Sequence, residues 1–136
     1  MELKELAADK YRILAIVNRG SCDVENALHE GDPATEETRI SLIQQLMTIS
    51  ENGLHNVPDI WIKCVDKPNG IFEIRKGVLR LFFFKGAGDI ILVCTSIARK
   101  TTQKVAQREV AKAIRIKRQF ELAIRRDTLN IIKGED

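Results

Sequence analysis

The sequence predicts an α+β layer fold, and three observations carry that prediction. An apolar run near the N-terminus reads as a strand, two helical stretches follow it, and three further apolar runs with glycine-containing turns precede a last long amphipathic helix. Tyr11 to Asn18 (YRILAIVN) is rich in Ile, Val and Leu, closes at Arg19-Gly20, and supplies the first strand. The five residues Met1-Glu-Leu-Lys-Glu5 form a charged helical pattern, unlike a signal peptide. Ser21 is placed to cap a short helix running to about Glu30.

Asp32-Pro33 is a strong helix start, because the carboxylate accepts from exposed N–H groups and proline suits the first helical position. That helix runs to about Asn52 and stops at Gly53. Ile40, Ile43, Met47 and Leu54 recur at helical spacing, with Leu46 widening the stripe, so this side is expected to face the core. Asn56 to Gly70 holds Pro58, Pro68 and a Pro-Asn-Gly turn, and reads as a connection with a short extended piece at Trp61 to Val65. Ile71 to Lys76, Val78 to Lys85 and Ile90 to Ile97 then form an antiparallel meander. The last helix spans Thr101 or Thr102 to about Asp127, with Ala106, Val110, Ala113, Ile114, Phe120 and Ile124 on its apolar side. The ending from Ile131 is expected to be frayed or covered by a partner.

The chain has 136 residues, 44% hydrophobic and 30% charged, which suits one domain over residues 1–136. No apolar run approaches the roughly 20 residues a bilayer requires, so the protein reads as soluble and cytoplasmic, with no membrane partner. Cys22, Cys64 and Cys94 are odd in number and widely spaced, as expected of reduced structural thiols. His29 and His55 stand alone, and there is no P-loop, HExxH or dinucleotide fingerprint; neither a metal nor another cofactor is expected. Charge is segregated. Residues 1 to 60 hold 5 Lys and Arg against 11 Asp and Glu, a net of −6, whereas the remainder holds 17 against 8, a net of +9. A segregated basic half points toward a polyanion such as nucleic acid, while for Lys112, Arg115, Lys117 and Arg118 a solvated helix face is the simpler reading.

Strand register sharpens this into a candidate site. If Lys76-Gly77 is the two-residue turn, Arg75 faces Val78, Ile74 faces Leu79, Glu73 faces Arg80 and Phe72 faces Leu81. Phe72, Ile74, Leu79, Leu81 and Phe83 then share an apolar face, and Glu73, Arg75 and Arg80 share the other. Closing the next hairpin around Ala87-Gly88 sets Phe82 against Val93, Arg80 against Thr95 and Val78 against Ile97. Arg99-Lys100 leaves the third strand at the same end, so Arg75, Arg80, Arg99 and Lys100 are expected to converge. A groove for phosphate follows, with Phe82 and Phe84 beside Arg80 either stacking on bases or forming core. The alternative is that Arg80 pairs with Glu73 while the other cations are solvated.

Residues 42–120 resemble the RelE/ParE toxin superfamily, most closely its phage-associated HigB-like branch. The features that carry the likeness are a helix ending in Gly53, the strands Ile71-Phe-Glu-Ile-Arg75 and Leu79-Arg-Leu-Phe-Phe83, the apolar strand Ile90 to Ile97, and Arg99-Lys-Thr101. They look like the family's "LxELR", "yRvxyf" and "KKT" signatures. The resemblance implies a small curved antiparallel sheet of about four strands packed with N-terminal helices and a long C-terminal helix. It implies the toxin of a two-gene toxin–antitoxin module that cleaves mRNA on the ribosome, hence a cognate antitoxin, ribosome and mRNA as partners, in a homo-oligomer or a heteromeric toxin–antitoxin complex. Carried over by motif, Arg75 and Arg80 contact phosphate, and Arg80, Arg99 and Lys100 stabilise the charge that builds when a 2′-hydroxyl attacks its neighbouring phosphate. Lys63, Phe82 and Lys104 complete the expected RNA-binding set. The family often places a His or Tyr near the last strand or chain terminus, and this sequence does not, so proton transfer would fall to Lys100 or Lys63. A ParE-like inhibitor of DNA gyrase and a catalytically inactive phage accessory protein are the alternatives.

Overall fold

A computed structural model describes residues 1–99 and 102–134. Strands β1 (Glu2–Ala8) and β2 (Arg12–Ile16) precede helices α1 (Asp23–His29) and α2 (Glu36–Asn52). Strands β3 (Ile62–Asp66), β4 (Ile71–Lys76), β5 (Leu79–Phe84) and β6 (Ile90–Arg99) lead into helix α3 (Gln103–Arg126) and strand β7 (Asn130–Ile132). The fold is α+β, and the strands form one seven-stranded sheet in the order β3-β4-β5-β6-β2-β1-β7. It is larger than the expected sheet of about four strands, and mixed: β3 to β6 are antiparallel, whereas β2–β6 and β1–β7 are parallel.

Both unexpected strands come from the chain ends. Met1 to Glu5 contains good helix formers, yet β1 is a strand because β2 and β7 satisfy its backbone from both sides, and Leu3 is buried opposite Ile16. The C-terminal Ile131 pairs with Leu3, so this segment is an edge strand of its own chain.

Helices cover both faces of the sheet. Val24 and Leu28 of α1 and Leu42, Leu46 and Ile49 of α2 pack on Ile13, Ala15, Ile74, Leu81, Phe83 and Cys94. Ala113, Ile116 and Phe120 of α3 pack on Leu3, Leu14, Ile71, Phe84 and Val93 on the opposite face. Phe120 meets Phe84 edge-on, with ring centroids 5.5 Å apart.

The buried stripe of α2 is rotated from the expected one. Leu42, Leu46 and Ile49 face the core, while Ile40 and Met47 are 49% and 51% exposed. Polar residues disguise the true stripe, because Arg39, Gln45 and Ser50 are buried within it. Arg39 donates to Thr35 Oγ1 and to the Leu28 carbonyl. Ser50 Oγ donates to the Tyr11 carbonyl and accepts from the Asp9 amide, which ties the end of α2 to the β1–β2 turn. Ala106 and Ile124 of α3 likewise prove exposed, and Ile116 and Ala123 take the buried positions. The cap of α1 also differs: Cys22 occupies the N-cap position, and Ser21 instead accepts from the Asn26 side chain. The Asp32 carboxylate accepts from the Ala34 amide, but opens a 3-10 turn over Pro33–Thr35 before α2 begins.

Among the described residues no helix is long and apolar enough to cross a membrane.

Candidate functional site

The β4–β5 hairpin turns at Gly77-Val78, with Gly77 at φ +53°, rather than at Lys76-Gly77. A positive φ at the first central residue is what glycine supplies in a tight hairpin, and the choice moves the pairing by two residues. Arg75 therefore lies opposite Arg80, Glu73 opposite Phe82 and Phe72 opposite Phe83. An even shift preserves the faces, so Glu73, Arg75 and Arg80 still share the α3 side of the sheet. Lys63 of β3 is paired with Glu73 and shares that side too.

The next hairpin departs by an odd number. Phe82 pairs with Ser96, Arg80 with Ala98 and Leu79 with Arg99, and the register shifts around Thr95, which is left as the extra residue of a bulge. Ala98, in place of Thr95, now sits beside Arg80. The odd shift turns Arg99 toward the α1/α2 side, where its Nη1 lies 3.8 Å from Asp32 Oδ2. The expected convergence of four cations is thus reduced. Arg75 and Arg80 share a face with Lys63, the Arg99 guanidinium reaches past the edge, and Lys100 lies outside the described residues.

A groove of about 220 Å³ lies where this face meets the start of α3, between Glu73, Arg75, Arg80, Phe82, Ala98, Arg99 and Ala106. Glu73 is only 4% exposed, and its carboxylate is taken by Arg75, whose Nε is 2.5 Å from Oε1. The alternative pairing of Glu73 with Arg80 does not form. Arg80 uses Nη1 alone, donating to the Gly77 and Leu79 carbonyls at 2.8 and 2.9 Å. Its charge meets no carboxylate among the described residues, and Nε and Nη2 make no hydrogen bond there. A planar guanidinium held at one nitrogen and open at two is suited to a phosphate oxygen pair.

Of the expected RNA contacts, Phe82 lies in the groove and Lys104 outside it. Phe82 forms part of the groove floor but is 2% exposed, so no ring face is left for a base to stack on. Lys104 is exposed in the first turn of α3 and does not line the groove. Phe84 is core under Phe120.

Sequence reasoning left one juxtaposition unseen. Tyr11, the chain's single tyrosine, and His55 line a common cavity of about 260 Å³ together with Lys85. Their sequence separation hides the encounter, which arises because Gly53 closes α2 against the Tyr11 ring at φ +87°; a Cβ there would sit 3.2 Å from a ring carbon. Lys85 follows β5 at the end away from Arg80, five strand steps or about 17 Å distant. Cys94 is fully buried and burial pushes its thiol far up; Cys22 is raised for the same reason, while Cys64 is exposed. Among the described residues no group of three or more His, Cys, Asp and Glu could hold a metal ion.

A mixed sheet with a β3–β6 meander, helices on both faces and a long C-terminal helix is consistent with a RelE-like fold. The family can be given more narrowly. Residues 32–118 match the model of the phage-derived Gp49-like proteins (DUF891), well over half of the chain, and the protein belongs to that family, a RelE-like toxin family in general. The matched stretch contains every strand that forms the groove. No curated protein matches the chain.

Proposed function

We propose that this protein is the toxin of a type II toxin–antitoxin module and that it arrests translation by cutting mRNA on the ribosome. The observation that carries this reading is the Arg80 guanidinium, which among the described residues has two unused nitrogens and no carboxylate partner, beside Arg75 in a groove that can seat a phosphate. Arg80 grips the scissile phosphate, and Arg75 widens the positive field. In the reaction the 2′-oxygen forms a bond to phosphorus and the bond to the 5′-oxygen breaks, leaving a 2′,3′-cyclic phosphate and a 5′-hydroxyl. Arginine stabilises the extra charge on the phosphorane. Lys63, on the same face, is the amine that takes the 2′-hydroxyl proton and returns one to the leaving oxygen. An antitoxin neutralises the protein by placing an acidic segment over the Arg75–Arg80 groove.

A second reading is a non-nucleolytic inhibitor of DNA gyrase; it is favoured by the placement of Tyr11 and His55 in a cavity away from the groove. Induction in cells followed by mapping of transcript ends separates the two. New ends inside translated frames support the nuclease, whereas growth arrest with intact messages and DNA damage supports the gyrase reading. Arg80→Ala is expected to abolish growth arrest without lowering the melting temperature by more than a few degrees. A folded Arg80→Ala protein that remains fully toxic refutes the groove as the site.

A further inference from the structure

The sheet contains one place where neighbouring parallel strands send the chain to opposite faces. β2 and β6 run side by side and parallel, Ile13 beside Leu92 and Ala15 beside Cys94. From β2 the chain continues into α1 on one face, and from β6 into α3 on the other. A crevice lies beyond the carboxyl end of β2, beside Thr95 in the middle of β6, next to the point where the two chain directions part. Here that crevice is a cavity of about 510 Å³, more than twice the volume of the Arg75–Arg80 groove.

The cavity's chemistry is divided. Ile116 and Val17 supply an apolar floor. Lys112 and Arg115, three residues apart on α3, supply one wall, and Glu2 and Asp23 supply charges of the opposite sign. No ion pair joins these groups among the described residues, so neither wall quenches the other. Thr95, the bulged residue of β6, lies at the cavity wall but is 1% exposed, and its hydroxyl donates to the Phe82 carbonyl. Bulges recur beside functional sites because they re-aim a side chain.

We propose that this cavity binds a nucleoside monophosphate. Adjacent Lys and Arg side chains suit a phosphate dianion, and carboxylates opposite suit the donors of a ribose or a base amine. The volume lies within the range of small-molecule sites and exceeds what a phosphate ion alone would fill. The cavity opens on the flank of α3 that carries Lys112 and Arg115, whereas Ala106 borders the phosphate groove from the other flank. Binding here is therefore independent of the function proposed above, and the two ideas fail separately.

The test is a titration of isotopically labelled full-length protein with adenosine, guanosine, cytidine and uridine monophosphates, with adenosine and inorganic phosphate as controls. At least one monophosphate is expected to move the amide resonances of Thr95, Lys112 and Arg115 and to bind tenfold or more tightly than either control. Arg115→Ala, at an exposed position, is expected to weaken that nucleotide about tenfold while leaving single-stranded RNA binding unchanged. Asp23→Asn is expected to weaken the nucleotide but not inorganic phosphate. No binding at millimolar nucleotide, equal binding of inorganic phosphate, or shifts centred on Arg75 and Arg80 would each overturn the proposal.

Discussion

Replacing Glu73 by Gln removes the carboxylate that engages Arg75 and leaves the side chain's size nearly unchanged. Glu73 is 4% exposed, and Arg75, about half exposed, stands directly opposite Arg80. Three charged groups that sum to +1 become two that sum to +2. Losing a charge-assisted hydrogen bond at a half-solvated site costs about 1–2 kcal/mol, and like charges facing each other across a strand pair add up to about 1 kcal/mol. A total near 2 kcal/mol lowers the melting temperature of a chain of this length by about 8 °C. The effect on RNA has the opposite sign. Freed from the carboxylate, Arg75 makes one more phosphate contact, worth about 1 kcal/mol or roughly fivefold in affinity at low salt. One extra contact on a single strand steepens the salt dependence by about 0.7 in log–log slope, so the gain shrinks by about 2.6-fold between about 50 and about 200 mM salt. Thermal melting and fluorescence anisotropy with a short single-stranded RNA read the two arms. If the variant melts lower but binds RNA no better at low salt, Glu73 does not compete with phosphate for Arg75, and the electrostatic account of the groove is wrong.

Three further outcomes follow from the packing. Ser50→Ala removes the hydroxyl that bridges the Tyr11 carbonyl and the Asp9 amide at a residue only 1% exposed, leaving these two groups their 3.3 Å bond to each other, and should cost about 1 kcal/mol in denaturant unfolding; a change within error would mean that this tie carries no weight. Tyr11→Phe and His55→Ala are expected to leave growth arrest intact, because their cavity lies at the far end of β5, and loss of toxicity in a folded variant would move the site there. Native alkylation should label Cys64 alone, with Cys22 and Cys94 reacting only after denaturation, as mass spectrometry of the intact chain would show.

The meander and the long final helix were legible because their signals are local. Gly77, the Gly86–Gly88 turn and the alternation of Ile71 to Phe83 are read within a few residues, and Thr102 does cap α3 by accepting from the Val105 amide. The sheet's other half was only partly legible. The strand at Tyr11 was visible, but β1 is a strand through its neighbours and β7 exists only because β1 offers an edge. In α2, two stripes one residue apart compete; in the buried one Thr35, Leu28 and Tyr11 satisfy Arg39 and Ser50, whereas Gln45 Oε1 has no partner among the described residues. No composition rule reveals such partners.

The site shows how parity governs what register reasoning can deliver. Moving the first turn by one position changes each pairing by two residues, so Arg75 and Arg80 stay on one face although every partner changes. In the second pairing the turn moves the register by two residues, which keeps the faces at Phe83 and Phe84, and the extra residue at Thr95 makes it three, which exchanges them beyond the bulge. Arg99 thereby comes within 3.8 Å of Asp32, on the side where α1 and α2 pack, while still bordering the groove, in which Arg75 holds the Glu73 carboxylate and Arg80 does not. The same bulge delivers the Thr95 side chain to the cavity on the other flank of α3. One inserted residue thus separates the cations into two environments and links the geometry of both sites, so a change that regularises β6 should alter nucleotide and RNA binding together, while Arg80→Ala and Arg115→Ala alter them one at a time.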